Sequence, residues 1–297
     1  MTRKALLLSA CFCLAAAGGA MLWASASRPA DAAQASSAQV SSAPGRPRRI
    51  VSLNLCADQL VLALADRAQI AGLTRNAADP AMSGEAARAR GLPMLTSSAE
   101  QILAINPDLV VGMPAGRSAA LAVLKDEHYR TLDLKSADRL DDIYASIHET
   151  AAAVGHKARG DAMVAHMQRD LAGIAQLGRG RVAAYYQRRG YMTGTGTLVD
   201  DLMHRMGLVN LAAKLGKPAL AQVSLEEMVA ARPDFLIVES ATDKVTDQGS
   251  EMLHHPALRD IPRISIPQAW TVCGSAAYAR AARGMAQQIA RFDAGHR

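Results

Sequence analysis

Apolar and polar positions divide the chain into segments of different period. Residues 5–24 are an almost unbroken apolar stretch preceded by Arg3 and Lys4 and followed by small-residue sites ending at Ala26 and Ala32. This pattern predicts a secretory signal peptide over 1–32. A membrane anchor or a lipid on Cys11 are the competing readings. The richness in Ala, Gly and Ser weighs against the first, and the short apolar run before Cys11 against the second. Residues 33–47, AQASSAQVSSAPGRP, have no period and cannot bury enough surface to order themselves, so they read as a flexible linker. Ile50, Val51 and Leu53 form the first β-prone run, ended by Asn54, and helical spacing follows over 57–65. A strand at 181–186 leads in the same way through a loop into a helix at 197–206. Between these units, Leu140, Ile143, Ile147, Ala151 and Val154, then Met163, Met167, Leu171 and Ile174, recur at helical spacing and predict one long helix, bent near Gly155. At about 1.5 Å per residue it would span about 60 Å, enough to bridge two bodies.

Sliding the chain against itself reveals a repeat. The segment SAEQILAINPDLVV at 98–111 matches SLEEMVAARPDFLI at 224–237, an offset of 126 residues. Each copy has a Ser at the N-cap position, an acidic first turn, an apolar helix face, a Pro-Asp turn and an apolar β run. Convergence on a common helix-to-strand turn would explain one such match, but the equivalent strand-loop-helix opening of each half weighs against it. The expected organisation is therefore an N-terminal α/β lobe at 48–137, a bridging helix at 138–178 and a C-terminal α/β lobe at 179–297. Continuous apolar strands imply sheets covered on both faces, and ligands of such sheets sit beyond the carboxyl ends of the strands. The expected site is the cleft between the lobes.

Composition narrows the function. With 297 residues, 50% of them hydrophobic and 20% charged, the chain has the makings of a folded core. The net charge of +6 comes from scattered basic residues and forms no stripe, which argues against nucleic acid as a partner. Of four cysteines, Cys11 and Cys13 fall in the predicted signal peptide, leaving only Cys56 and Cys273. No nucleophile elbow, HExxH or CxxC occurs, so no catalytic residue, metal site or resident cofactor is expected. Gly194-Thr195-Gly196 lacks the rest of a phosphate-binding fingerprint and His254-His255-Pro256 lacks a second ligand pair, so both read as loop or cap segments.

The opening RIVSLNLCADQL, the paired Glu/Pro-Asp segments, the bridging helix, GTGTLVDDLMHRMGLVNLA at 194–212 and RISIPQAW before a last helix occur in this order. Together they resemble class III periplasmic binding proteins, the solute-binding components of ABC importers for iron-siderophores, haem and corrinoids, over roughly residues 48–293. The resemblance implies two Rossmann-like lobes with central sheets, joined by a long bridging α-helix. It implies a periplasmic monomer, not an enzyme, that captures a metal chelate and delivers it to an ABC transporter permease. In that family the glutamate at this point of each repeat lies on a lobe tip and pairs with permease arginines, and Glu100 and Glu226 match it. Stabilisation of the helix dipole is the plainer role for the same two residues.

Loop ends after predicted strands nominate the ligand-binding residues. They are Asn54 and Cys56 in the first lobe, Met113 and Arg117 after the strand near 108–112, Tyr186, Arg188, Arg189 and Tyr191 in the second lobe, and Trp270 and Cys273 near the end. The arginines offer fork-shaped donors to an anionic chelate and the aromatics offer planar contact, with solvated surface or core packing as the alternative in each case. Cys56 and Cys273, one per lobe, read as buried small hydrophobes, as a disulfide clasping the lobes, or as thiolate ligands or reactive thiols. The last reading supports a rival function, a secreted thiol-redox or metal-dependent enzyme using both cysteines in the cleft.

Overall fold

Ile50, Val51 and Ser52 are almost wholly buried and form β1 (Ile50–Ser52), the middle strand of a five-stranded parallel sheet. Its neighbours are β2 (Ile70–Thr74), β3 (Met94–Leu95), β4 (Leu109–Gly112) and β5 (Thr131–Asp133), in the order β3-β2-β1-β4-β5. The structure is a computed structural model and describes residues 45–96, 98–113 and 129–295. The predicted signal peptide, most of the predicted linker and Arg117 lie outside the described residues. Among the described residues no helix is long and apolar enough to cross a membrane.

The second half builds its own sheet from β6 (Val182–Tyr186), β7 (Tyr191–Thr193), β8 (Val209–Asn210), β9 (Leu220–Gln222), β10 (Phe235–Glu239) and β11 (Arg263–Ile266). Strands β11, β10 and β6 run parallel, β8 pairs in parallel with the start of β6, and β7 and β9 continue the sheet antiparallel. The helices of seven or more residues among those described are α1 (Leu55–Leu64), α2 (Ala99–Ile105), α3 (Leu140–Ala153), α4 (Lys157–Ala172), α5 (Leu198–Arg205), α6 (Leu225–Ala231) and α7 (Ala277–Gly295). This is the mixed α/β architecture with two central sheets that the sequence leads one to expect.

The repeat is built alike in both halves. Ser98 Oγ accepts from the Gln101 N–H at 3.3 Å and Ser224 Oγ from the Glu227 N–H at 3.1 Å, capping α2 and α6. Both helices end on a left-handed residue, Asn106 and Arg232. The aspartates of the Pro-Asp turns pin the first strand of each sheet. The Asp108 carboxylate accepts from the N–H groups of Arg48 and Arg49 at 2.7 and 2.8 Å, and the Asp234 carboxylate accepts from the Val182 N–H at 2.7 Å.

The connection between the sheets departs from the expected 60 Å rod. Helices α3 and α4 are separated at Val154–His156, where Gly155 takes φ +81°, a left-handed conformation that ends a helix and costs glycine least. The two helices then cross closely. A Cβ on Gly160 would lie 2.5 Å from Ala151 Cβ and 3.4 Å from the Ile147 carbonyl oxygen, and His148 Nδ1 lies 3.1 Å from Asp161 Oδ1. In one straight helix residues 147 and 160 would be about 20 Å apart. Folding back lets both apolar faces enter one core, with Ile143, Ile147, Val164 and Met167 in a single buried cluster.

That cluster is continuous across both halves, running from Ile50, Leu64 and Leu109 to Leu202, Phe235, Ile237 and Met285. The described residues form one compact unit. Smaller clusters cover the outer sheet faces, Val51, Leu95 and Ile102 on the first sheet and Tyr186, Met192, Leu236 and Val238 among those on the second.

Candidate functional site

The carboxyl ends of β4, β5, β6, β10 and β11 converge on a cavity of about 280 Å³, the location that open α/β sheets reserve for ligands. Met113 follows β4, Leu134–Asp138 follow β5, Tyr185 and Gln187 come from the end of β6, Glu239 ends β10, and Gln268 and Thr271–Gly274 follow β11. Cys56 and Leu60 of α1, and Leu198 and Val199 of α5 with its N-cap Thr197, close the wall. A second cavity of about 300 Å³, lined by Gln187, Arg188, Tyr191, Leu220, Glu239 and Gln268, shares three residues with the first. The two are neighbours with a common wall.

The lining is rich in amides and hydroxyls and carries three charged residues, Lys135, Asp138 and Glu239. Tyr185 and Thr193 are cross-strand partners on one face of β6 and β7 and both reach the cavity. The Tyr185 hydroxyl lies 3.4 Å from Thr271 Oγ1, and burial, reinforced by the nearby Glu239 charge, pushes its phenol up to about 12. It therefore remains a protonated donor at neutral pH. Glu239 is 8% exposed. Burial raises its pKa from the ordinary carboxylate value, opposed by the charge of Arg188 and a hydrogen bond from Gln187.

Cys56 and Cys273 are joined in a disulfide with their Cα atoms 5.2 Å apart, across a sequence separation of 217 residues. The bond fastens the start of α1 to the loop after β11 and forms part of the cavity wall.

The other nominated residues divide into three groups. Met113, Cys56 and Cys273 line the main cavity, and Arg188 and Tyr191 line its neighbour, although the Arg188 guanidinium is ion-paired to Asp247. Asn54 and Arg189 are in neither wall: Asn54 is the N-cap of α1, its side chain accepting from the Ala57 N–H at 3.0 Å, and Arg189 takes φ +59°. Tyr186 and Trp270 need correction. Tyr186 is fully buried on the opposite face of β6, where its hydroxyl donates to the Val223 carbonyl at 2.9 Å. Alternation along the strand sends Tyr185 to the cavity and Tyr186 to the outer core. Trp270 packs on α7 instead, with the Arg280 guanidinium 5.9 Å from its ring centroid and its Cζ3 3.3 Å from where a Gly284 Cβ would stand.

Lys135, Asp138, Glu239 and Thr271 line the walls without having been nominated; Gln187, inside the nominated loop 186–191, and Tyr185, open in sequence between ligand contact and core packing, line them too. Glu239 was legible: it is the polar residue that ends the apolar run of the second repeat, at a strand's carboxyl end. Among the described residues no cluster of three or more His, Cys, Asp or Glu is placed to hold a metal ion. Glu100 and Glu226 are exposed in the first turns of α2 and α6, each carboxylate held below its usual range by its own backbone N–H and by the neighbouring Ser98 or Ser224.

Residues 50–264 match the family model described as "Periplasmic binding protein". A cobalamin-binding protein of Halobacterium salinarum (strain R1) is 25% identical over 215 residues, 70% of this chain and 58% of that protein, so the chain spans less than two thirds of that relative's length. Among solved structures, the periplasmic heme-binding protein RhuT from Roseiflexus sp. RS-1 superimposes with a TM-score of 0.66 at 26% identity, covering 82% of this chain and 97% of that one. The periplasmic vitamin B12 binding protein BtuF of Vibrio cholerae gives a TM-score of 0.61 at 15% identity, over 82% and 97% of the two chains, and shares the fold.

Proposed function

The chain belongs to the periplasmic binding protein family, and from that premise we propose that it is an exported protein that captures a metal chelate and delivers it to an ABC import permease. The chelate is an iron-siderophore, haem or a corrinoid, and its place is the cavity between the two sheets. The observation that carries this reading is that cavity itself: five strands from both halves end on it, with mixed apolar and polar walls. The 26% identity to a heme-binding structure and the 25% identity to a cobalamin-binding protein support the ligand class. A continuous core and a disulfide across the wall favour capture in a nearly preformed cleft. The rival, a secreted thiol-redox or metal-dependent enzyme, needs the pair to cycle through free thiols or to bind a metal as thiolates, and in the structure the two are joined as a disulfide.

Delivery is assigned to the tips of α2 and α6. Glu100 and Glu226 occupy equivalent repeat positions, and so do Leu103 and Val229, which are 44% and 36% exposed. Residues three apart share a helix face, so each tip offers a carboxylate beside an apolar side chain. A permease with two equivalent basic and apolar recesses matches that pair.

The test is titration of the purified protein with ferric siderophores, haemin and aquocobalamin, followed by ligand absorbance and protein fluorescence. Saturable binding of one chelate at micromolar concentration or below is expected. Failure of every chelate to bind overturns the reading.

A further inference from the structure

We propose that Glu239 selects the ligand's chemistry: its carboxyl group accepts a hydrogen bond from the captured molecule, so the site favours chelates edged with amides or hydroxyls over chelates edged with carboxylates. The inference rests on the solute-binding reading and deepens it.

The placement follows from strand alternation. On β10, Phe235 and Ile237 face the central core, and Glu239 is the next residue on that face, at the point where the strand ends on the cavity. Ile237 is paired in register with Tyr185 on β6, which puts the phenol and the carboxyl on the same stretch of wall. Glu239 lies between the two cavities and borders both. With Gln187 and Gln268 it forms the shared wall that a ligand extending from one into the other must pass, and it is the charged member of that wall.

The chemistry follows from what the carboxyl group touches. A carboxylate offers about four acceptor positions, and this one is 8% exposed. Its hydrogen bond in the structure is from Gln187 Nε2 at 3.5 Å, long for an N–H···O contact. The nearby cation, Arg188, is held by Asp247. A buried polar group with weak partners is costly, and a donor that supplies the missing bond recovers that cost on binding. A ligand turning N–H or O–H groups to this wall supplies the bond. A ligand turning a carboxylate to it brings a further negative group to a lining whose charged members, among the described residues, are Asp138, Glu239 and Lys135. Among the described residues, the arginines nominated for an anionic chelate are not free in the walls: Arg188 is paired to Asp247 and Arg189 lies outside both cavities.

The experiment compares wild type, Glu239→Leu and Glu239→Gln with two probes, dicyanocobinamide, whose rim carries amides, and haemin, whose rim carries carboxylates. Affinities are measured by absorbance titration and calorimetry. Glu239→Leu is expected to weaken cobinamide by about 10- to 100-fold, the range of a hydrogen bond to a charged group, and to leave haemin unchanged or tighter. Glu239→Gln keeps the shape and one acceptor oxygen and should lose less in the same direction. Equal losses for both probes, a loss confined to haemin, or no loss in either variant would overturn the proposal. Should Glu239→Leu fail to fold by circular dichroism, the Gln variant decides by the same comparison. Absence of binding by the wild type to both probes and to ferric siderophores would instead sink the solute-binding reading, and this inference with it.

Discussion

Tyr185 and Tyr186 are adjacent in sequence and have opposite fates. The β pleat sends one to the cavity and the other to the outer core, where its hydroxyl bonds the Val223 carbonyl. The expected consequences separate cleanly. Tyr186→Phe should cost about 1 kcal/mol of stability in urea denaturation, the usual worth of a buried neutral hydrogen bond, and leave ligand affinity unchanged. Tyr185→Phe should leave stability nearly unchanged, because its contact to Thr271 is long at 3.4 Å, and should weaken chelate binding by about fivefold through a lost donor. The opposite pattern would show that the wrong face of β6 had been assigned to the ligand. Glu239 teaches the same lesson from the other side. A polar residue ending an apolar strand run stands out in sequence, but its burial and its weak partners are visible only once β6 and β10 are paired.

Elements were more legible than side chains. The repeat exposed both capped helices, because Ser, an acidic turn and Pro-Asp are local signals that act within one turn of chain. It gave no hint that Asp108 and Asp234 clamp the first strand of each sheet, since those contacts span 60 and 52 residues. The bend near Gly155 was legible, but its extent, α3 folding back onto α4, was hidden: helical period continues through both, and only the close approach at Gly160 reveals it. The repeated tips carry a prediction of their own. Reversing charge with Glu100→Arg and Glu226→Arg together should abolish chelate uptake in reconstituted vesicles while leaving chelate affinity intact, and Leu103→Ala with Val229→Ala should reduce uptake to a smaller degree. Uptake unchanged by the charge reversals would remove the tips from the docking surface.

The whole molecule is held by a core that crosses from one sheet to the other and by one covalent link across it. A bond closing a loop of 217 residues removes a large share of the unfolded chain's freedom, worth about 5 kcal/mol on chain-entropy arguments. Cys56→Ser with Cys273→Ser, or reduction of the wild type, should therefore lower the urea midpoint substantially. Chelate affinity should hold, because the continuous core keeps the walls in register; a collapse of affinity together with retained folding would mean that the disulfide itself sets the cleft. The sequence by itself determined the two-sheet α/β plan, the repeated helix caps and the end of the strands on which the cavity opens, because period, capping and turn chemistry are encoded within a few residues. Only the tertiary structure decided that Tyr185 rather than Tyr186 reaches the cavity, that Trp270 packs on α7, that the bridging segment folds back, and that Glu239 stands buried between two cavities. Each of these depends on which distant segments pack together, and a face, a close approach or a buried charge acquires its meaning only from the partner across the gap.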